Sequence, residues 1–150
     1  MLIWQTNFPQ SAHAIHAIAT AESLTQALSQ RGNFAVQLDK LGETQSFPHF
    51  ADFRLPETLF TRQVSLFLND KMVVQAQSLC ETTSAWRDIL HCGNTSLGTI
   101  LFSGSLNVQR SELQFALLPN GLLARRSWFT LNGETLYLVE CFQAALNDLL

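Results

Sequence analysis

The stretch Leu131–Phe142 reads Leu-Asn-Gly-Glu-Thr-Leu-Tyr-Leu-Val-Glu-Cys-Phe, and the rest of the fold is organised around it. Its Asn132-Gly133 dipeptide lies between two apolar runs. This is the strongest short-range signal for a two-residue type I′ turn, because both central positions of that turn need a positive φ. The run after the turn is therefore predicted to be a strand, in which alternation places Glu140 on the same face as two leucines and a phenylalanine.

A second predicted strand, Arg62–Leu68, also carries a charge on its apolar face. Asn69-Asp70 predicts a tight turn after it, and the returning strand has two small residues, Ala76 and Ser78, that leave room on the inner surface. An ionised group on an apolar face costs several kcal/mol unless it is paired or hydrogen-bonded. Arg62 and Glu140 are therefore the two residues whose positions need an explanation.

Two interpretations of this pair are open from the sequence. In one, Arg62 and Glu140 form a structural salt bridge inside the core. In the other, they lie at opposite ends of a pocket, where the planar guanidinium binds a substrate carboxylate and Glu140 meets a hydroxyl group. Such a pocket suits a small aromatic or cyclic acid. Arg125-Arg126 either straddles a further strand, which turns one of the two inward, or forms a solvated pair at an edge.

Composition limits the class of protein. The chain has 150 residues, 47% hydrophobic and only 14% charged, which predicts one domain over residues 1–150 with a substantial core. The net charge is −3, and the nine Lys and Arg residues form no cluster larger than Arg125-Arg126, which argues against nucleic-acid binding. No signal peptide and no apolar run of about 18 residues is visible, so we expect a soluble, cytoplasmic protein without membrane contact.

Metal and cofactor motifs are weak or missing. The three cysteines have neither C-x-x-C nor metal-site spacing and are expected to be free thiols. His13 and His16 could share one helical face, but without a third ligand nearby we expect exposed histidines. No P-loop, dinucleotide-binding, nucleophile-elbow or zincin motif occurs, so no metal or organic cofactor is expected.

The predicted elements form an α+β fold with about six strands in one antiparallel sheet. Helices are expected on one face of this sheet, closing over a buried ligand pocket, with the other face largely solvated. The remaining predicted elements are two helical segments over 11–31 that break near Thr20–Ser23, a strand from Phe34 to Leu38 with a turn near Leu41–Glu43, a helix from Ser84 to His91, a short helix before Phe102, a long strand from Leu106 to Leu117, a strand from Leu122 to Leu131 and a helical turn from Ala144.

Several motifs together resemble the chorismate pyruvate-lyase family. They are Gly-Asn-Thr-Ser-Leu-Gly-x-x-Leu-Phe at 93–102, Ala-Arg-Arg-Ser at 124–127 and Leu-x-Gly-x-x-Leu-x-Leu-x-Glu-x-Phe at 131–142. Glu22-Ser-Leu-Thr-x-x-Leu and Arg62 with its following hairpin come in the matching order upstream. The resemblance covers nearly the whole chain after about residue 15, and it depends on the set of motifs rather than on any one of them.

The resemblance implies a fold, an activity and a set of ligand contacts. The family has a six-stranded antiparallel sheet with helical flaps over a buried site. It converts chorismate to 4-hydroxybenzoate and pyruvate without a cofactor, the first committed step of bacterial ubiquinone synthesis, and the resemblance favours a monomer. Carried over to this sequence, the substrate contacts are Leu24, Arg62, Leu97 and Glu140. Arg62 would bind the ring carboxylate and Glu140 the ring hydroxyl, which makes these two the candidate catalytic residues.

Two departures from the family pattern occur in one strand. The family often has an arginine where this chain has Gln77, and a glycine where it has Ala76. A second cation is expected to meet the enolpyruvyl carboxylate, and Arg125 or Arg126 could supply it, so all four residues are candidates for lining the pocket. The departures also leave a degenerate lyase open, which binds product but turns over slowly. A further alternative is a non-catalytic aromatic-acid binding domain of the same fold.

Overall fold

In the computed structural model, which describes residues 2–93, 95–104 and 107–150, seven antiparallel strands form one sheet. Their order is β1-β2-β3-β7-β6-β4, and β5 also pairs with β6. The strands are β1 Phe34–Thr44, β2 Leu59–Leu68, β3 Lys71–Cys80, β4 Gln109–Arg110, β5 Gln114–Leu117, β6 Leu123–Leu131 and β7 Glu134–Phe142. The stretch that follows the Asn-Gly turn is thus an inner strand, with β3 on one side and β6 on the other.

The two predicted hairpin turns are confirmed. Asn132 and Gly133 have φ values of 52° and 78°, and Asn69 and Asp70 have φ values of 51° and 67°. Positive φ at both central positions is the defining feature of the type I′ turn, whose twist matches that of the strands it joins. These turns fix the register of β6 with β7 and of β2 with β3, and so decide which side chains point to the same face.

The expected count of six strands is wrong by one, because the predicted long strand from Leu106 to Leu117 is broken. Leu106 lies outside the described residues, and the remainder forms two short strands, β4 and β5, along the same edge of β6. The break follows from Ser111. Its backbone nitrogen still donates to the oxygen of Trp128 at 2.9 Å, but the nitrogen of Trp128 donates to the Ser111 side chain instead of the backbone, which interrupts the ladder.

The turn expected near Leu41–Glu43 does not form. Strand β1 continues to Thr44, and its register with β2 shifts between Leu38 and Lys40. This bulge at Asp39 absorbs one extra residue and bends the strand without ending it. The chain returns instead through residues 45–58, which contain a 3₁₀ turn at Pro48–Phe50.

The helices are short and lie on one face of the sheet. A 3₁₀ segment at Gln10–Ile15 precedes them, and they are α1 His16–Ala19, α2 Leu24–Ser29, α3 Trp86–Leu90, α4 Leu97–Leu101 and α5 Ala145–Asp148. The predicted break between the first two is confirmed, and the side chain of Ser23 caps α2 by accepting a hydrogen bond from the nitrogen of Gln26 at 3.2 Å. In the described part of the chain, none of these helices is long and apolar enough to cross a membrane.

Apolar residues pack on both faces of the sheet. On the helical face, Ile18 and Leu28 lie against β2 and β3, while Trp86 and Leu90 lie against β2 and β7. The opposite face is less solvated than expected, because the 3₁₀ turn places the fully buried Phe50 on it. The helical face has one region that apolar contacts do not fill, and it lies under α2 and α4.

Leu28→Ala tests how far the sheet depends on its helical cover. Leu28 is fully buried, so its truncation is expected to lower the free energy of unfolding by about 2–5 kcal/mol, measured by urea denaturation. Leu117→Ala is the matched control, since Leu117 is 40% exposed and its loss should change stability by about 0.5 kcal/mol or less. Equal losses in the two variants would contradict the packing described here.

Candidate active site

A cavity lies between the helical face of the sheet and the helices α2 and α4. Its walls are mostly aliphatic, with Val64, Leu66 and Leu138 on the strands. Five charged residues also line it: Glu22, Arg62, Arg110, Arg125 and Glu140. A mostly apolar cavity with a few convergent charged groups is typical of a small-molecule site.

Glu140 is paired with Arg125, its direct neighbour across β6 and β7. Nε of Arg125 donates to Oε1 of Glu140 at 2.7 Å, and the two side chains are 1% and 8% exposed. The salt bridge between Arg62 and Glu140 that the sequence left open is therefore not formed. Of the Arg125-Arg126 pair, Arg125 is the member that points inward.

Arg125 also holds part of the cavity roof, which consists of helices α2 and α4 and the segments that lead into them. Its Nη1 donates to the backbone oxygens of Ala19 at 2.9 Å and Ala21 at 2.7 Å, where α1 ends and the chain turns towards α2. The same guanidinium thus orients the Glu140 carboxylate and fixes the helical segment above it.

Arg62 lies on β2 at another side of the cavity, and it is 2% exposed. Its Nη2 donates to the backbone oxygens of Gly93 at 3.0 Å and Thr95 at 2.9 Å, in the segment before α4. Its Nε is buried and has no hydrogen-bond partner among the described residues. Burial lowers the pKa of this guanidinium below its ordinary value, because the charged form is desolvated.

Arg110 is a cavity residue that no sequence pattern singles out. It lies on the two-residue strand β4, which is too short to show alternation. Its Nη1 donates to the backbone oxygen of Glu22 at 2.6 Å, and its Nε donates to Ser127 Oγ at 3.3 Å. Burial, and then the nearby Arg125 charge, lower the pKa of Arg110 to about 10.

The two leucines expected at the site, Leu24 and Leu97, are the first residues of α2 and α4, and both line the cavity. The two helices meet above it, where the hydroxyls of Thr25 and Ser96 are hydrogen-bonded. Gly98 makes this approach close, since a Cβ at that position would lie only 2.7 Å from Thr25 Oγ1. With Thr25 in this position, so close an approach of the two helices requires a residue without a Cβ at position 98.

The four candidates for lining the pocket divide between the two faces of the sheet. Ala76 and Arg125 line the cavity, whereas Gln77 and Arg126 do not. Alternation along β3 and β6 is the reason, because adjacent residues point to opposite faces. Gln77 donates to the backbone oxygen of Ser46 at 3.0 Å. Arg126 forms two hydrogen bonds of 2.7 Å with Asp52, so neither it nor residue 77 supplies a cation to the cavity.

Within residues 2–93, 95–104 and 107–150, no three His, Cys, Asp or Glu side chains are grouped to bind an ion. His13 and His16 are exposed, with ring centroids 6.1 Å apart. The three cysteines are free thiols, and of them only Cys80 is fully buried.

The charges of the cavity do not balance. Three arginines, Arg62, Arg110 and Arg125, face one buried carboxylate, that of Glu140, while Glu22 is exposed at the rim. The five charged residues of the lining sum to one positive charge, and to two when Glu22, which is exposed to water, is set aside. Such a cavity favours a ligand that carries two negative charges.

The sequence of the whole chain places it among known proteins. The family model described as "Chorismate lyase" matches residues 3–147. The chain belongs to the chorismate lyase family. This membership confirms the resemblance seen in the motifs, and the antiparallel sheet with helices over a cavity agrees with the fold expected from it.

Curated relatives carry the corresponding name. A "Probable chorismate pyruvate-lyase" from Nitrosospira multiformis is 32% identical in an alignment of 118 positions, which covers 65% of this chain and 65% of that protein. A "Probable chorismate pyruvate-lyase 1" from Pseudomonas entomophila is 29% identical in an alignment of 150 positions, which covers 85% of this chain and 80% of that protein. The chain thus spans slightly less than two thirds of the Nitrosospira relative and four fifths of the Pseudomonas one.

Solved structures with a similar fold come from transcription regulators. The C-terminal domain of the histidine utilization repressor from Pseudomonas syringae has a TM-score of 0.53 at 13% identity, covering 75% of this chain and 93% of that one. A possible transcriptional regulator from Bacillus subtilis has a TM-score of 0.51 at 15% identity, covering 77% and 60%. At these identities the likeness concerns the fold.

A double-mutant cycle tests the buried ion pair. Arg125→Met and Glu140→Leu each leave one charge buried without its partner, so each is expected to lower the free energy of unfolding by about 3–5 kcal/mol. The double variant should lose much less than the sum, because it removes both charges. Additive losses in urea denaturation would mean that the two side chains do not interact.

Gly98→Ala tests the contact between α2 and α4. The added Cβ overlaps Thr25 Oγ1, so amide hydrogen exchange in α2 and α4 should become faster while that in β3 and β7 stays unchanged. Adding Thr25→Ala removes the overlapping oxygen and should restore part of the protection. Unchanged amide protection in the single variant Gly98→Ala would show that α2 and α4 do not contact each other at this point.

Proposed function

We propose that this chain is a chorismate pyruvate-lyase, which eliminates pyruvate from chorismate to give 4-hydroxybenzoate. The charge of the cavity is the observation that supports this most directly. Chorismate carries two carboxylates on a small, otherwise uncharged ring system, and the cavity lining, apart from the exposed Glu22, has two positive charges in excess. Family membership and the names of the curated relatives agree with the assignment.

The ring carboxylate binds Arg62 in this proposal. A buried guanidinium nitrogen without a partner is rare in a folded protein, and the unpaired Nε of Arg62 lies in a residue that lines the cavity. A carboxylate there would complete its hydrogen bonds and stabilise the charge that burial disfavours. The two hydrogen bonds of Nη2 to the backbone hold the group in place before the ligand arrives.

The ring hydroxyl binds Glu140. Oε1 of Glu140 is occupied by Arg125, which leaves Oε2 to accept a hydrogen bond from a hydroxyl in the cavity. Ala76 lies directly opposite Glu140 on β3, and its small side chain leaves space for a ring beside the carboxylate. Arg62 and Glu140 lie on strands separated by β3, so a ring can bridge them.

The reaction itself needs positioning more than chemical help. The carbon–oxygen bond of the enolpyruvyl ether breaks, and its electron pair leaves with oxygen. The neighbouring ring carbon, which carries the hydroxyl, loses its proton, and the enolpyruvyl group takes up one proton to become pyruvate. The ring becomes aromatic, which supplies the driving force, while the cavity fixes the reacting conformation and excludes water. The elimination is redox-neutral, so its balance requires no co-reactant.

The wider setting of the reaction is also part of the proposal. The family resemblance supports a place at the start of bacterial ubiquinone synthesis and a cytoplasmic location. The identities of 29% and 32% with the curated relatives leave the product and the pathway to be tested by experiment.

The first test is turnover of chorismate by the purified chain, with 4-hydroxybenzoate and pyruvate measured separately. Equal amounts of the two products are expected. Arg62→Met should lower kcat/KM by about 100-fold, since it removes charge-assisted hydrogen bonds to the substrate. Glu140→Gln, which keeps the shape of the side chain and removes its charge, should lower kcat by a similar factor.

Controls separate an effect of these two substitutions on catalysis from an effect on stability. Arg54→Met removes an exposed arginine outside the cavity and should leave kcat/KM unchanged. The melting temperature of each variant is measured alongside, because a purely structural role predicts equal losses of stability and activity. Tight binding of 4-hydroxybenzoate without turnover in the unaltered chain would replace the proposal by a degenerate lyase or an aromatic-acid binding domain.

A further inference from the structure

Of the three cavity arginines, only Arg110 has no anionic partner, either in the protein or in the proposed complex with the ring carboxylate and hydroxyl. Arg125 is neutralised by Glu140, and Arg62 lies at the proposed site of the ring carboxylate. Among the described residues, Arg110 has no carboxylate within salt-bridge distance, since the group it meets on Glu22 is the backbone oxygen. A half-buried, fixed cation without an anionic partner in a ligand cavity calls for an anion.

We propose that Arg110 binds the second carboxylate of the substrate, the one on the enolpyruvyl group, and so makes the cavity select chorismate over its own product. This inference rests on the proposed function, because it concerns the same cavity and the same ligand. Arg110 then gives the site its specificity for the enolpyruvyl group, which is the part of the substrate that leaves as pyruvate.

The position of Arg110 agrees with the shape of chorismate. The ring carboxylate and the hydroxyl lie across the ring from each other, and the enolpyruvyl ether is attached next to the hydroxyl. The second carboxylate therefore has to lie near the Glu140 end of the cavity. Arg110 lies at this end, because its Nε donates to Ser127, which is two residues from Arg125 on β6 and lies opposite Leu138, two residues from Glu140 on β7.

Arg110 is also oriented in advance. Its guanidinium lies 5.3 Å from the ring centroid of Phe102 and 5.0 Å from that of Phe129, and it donates hydrogen bonds through Nε and Nη1. A guanidinium has five N–H groups, and these two bonds use two of them, so three remain to donate to a ligand. Little side-chain freedom is left to lose when an anion binds, which favours affinity.

The other arginines suit this role less well. Arg125 already has a carboxylate partner and donates twice more to the backbone of the roof. Arg126 is on the opposite face of the sheet, bound to Asp52. Position 77, where the family often has an arginine, also points to that face, so a cation there would not reach this cavity.

The role has a consequence for product release. The aromatic product keeps the ring carboxylate and the hydroxyl, and it loses the group that Arg110 binds. Arg110 therefore adds affinity for the substrate and none for 4-hydroxybenzoate.

The test compares two ligands that do not react. One is 4-hydroxybenzoate, and the other is 4-hydroxybenzoate with a carboxymethoxy group beside the hydroxyl, which adds the second carboxylate to an aromatic ring. Calorimetry gives the Kd of each for the full chain and for Arg110→Gln. The variant should bind the dicarboxylate about 10- to 100-fold more weakly, and 4-hydroxybenzoate within about threefold of the unaltered chain.

Two further variants keep the test decisive. Arg110→Lys retains the charge and should keep part of the preference for the dicarboxylate, even if Arg110→Gln folds poorly. Arg87→Gln is the matched control: Arg87 is also half-buried, lies 4.5 Å from the ring centroid of Phe60 and is outside the cavity. It should leave both Kd values unchanged.

The outcomes separate this inference from the proposed function. Equal weakening of both ligands in Arg110→Gln, or no weakening of either, would overturn the role of Arg110. Selective loss of the dicarboxylate supports it, even if chorismate is not turned over. Absence of turnover in the unaltered chain refutes the lyase, and it leaves the ratio of the two Kd values as an independent measurement.

Discussion

The buried ion pair of Arg125 and Glu140 is the interaction on which the other features of the site depend. It joins the two inner strands that the Asn-Gly turn brings together, and it fixes one oxygen of the only buried carboxylate among the described cavity residues. The same arginine holds the end of α1 through two backbone oxygens. Breaking the pair would therefore disturb the sheet, the roof and the site at once.

The roof is attached to the sheet by charge as much as by apolar packing. Each of the three cavity arginines donates to backbone oxygens of a covering segment: Arg62 to the loop before α4, Arg110 to Glu22 and Arg125 to the end of α1. These are also the groups that face the ligand. An anion in the cavity thus acts on the guanidinium groups that hold the cavity closed.

Much of the fold and part of the site follow from the sequence by local rules. Two turns with positive φ and the alternation of side chains are enough to place Arg62 and Glu140 on apolar faces. They do not identify the partner of Glu140, because this depends on which strands become neighbours, a property of the whole chain. Arg110 lies in a strand of two residues that has no period to detect. Gly42 suggests a turn in a strand that in fact continues past a bulge at Asp39.

The lengths of the helices have a consequence for the order of folding. None of the described α-helices exceeds six residues, whereas isolated helices shorter than about 12–15 residues are marginal in water. The segments that cover the cavity therefore become helical only once the sheet offers them a surface to pack on. The sheet pairs β1 with β2 and β3 with β7 across long loops, so its assembly is the slow step. We therefore expect the ligand site to be the last part of the molecule to form, and the first to be lost when the chain begins to unfold.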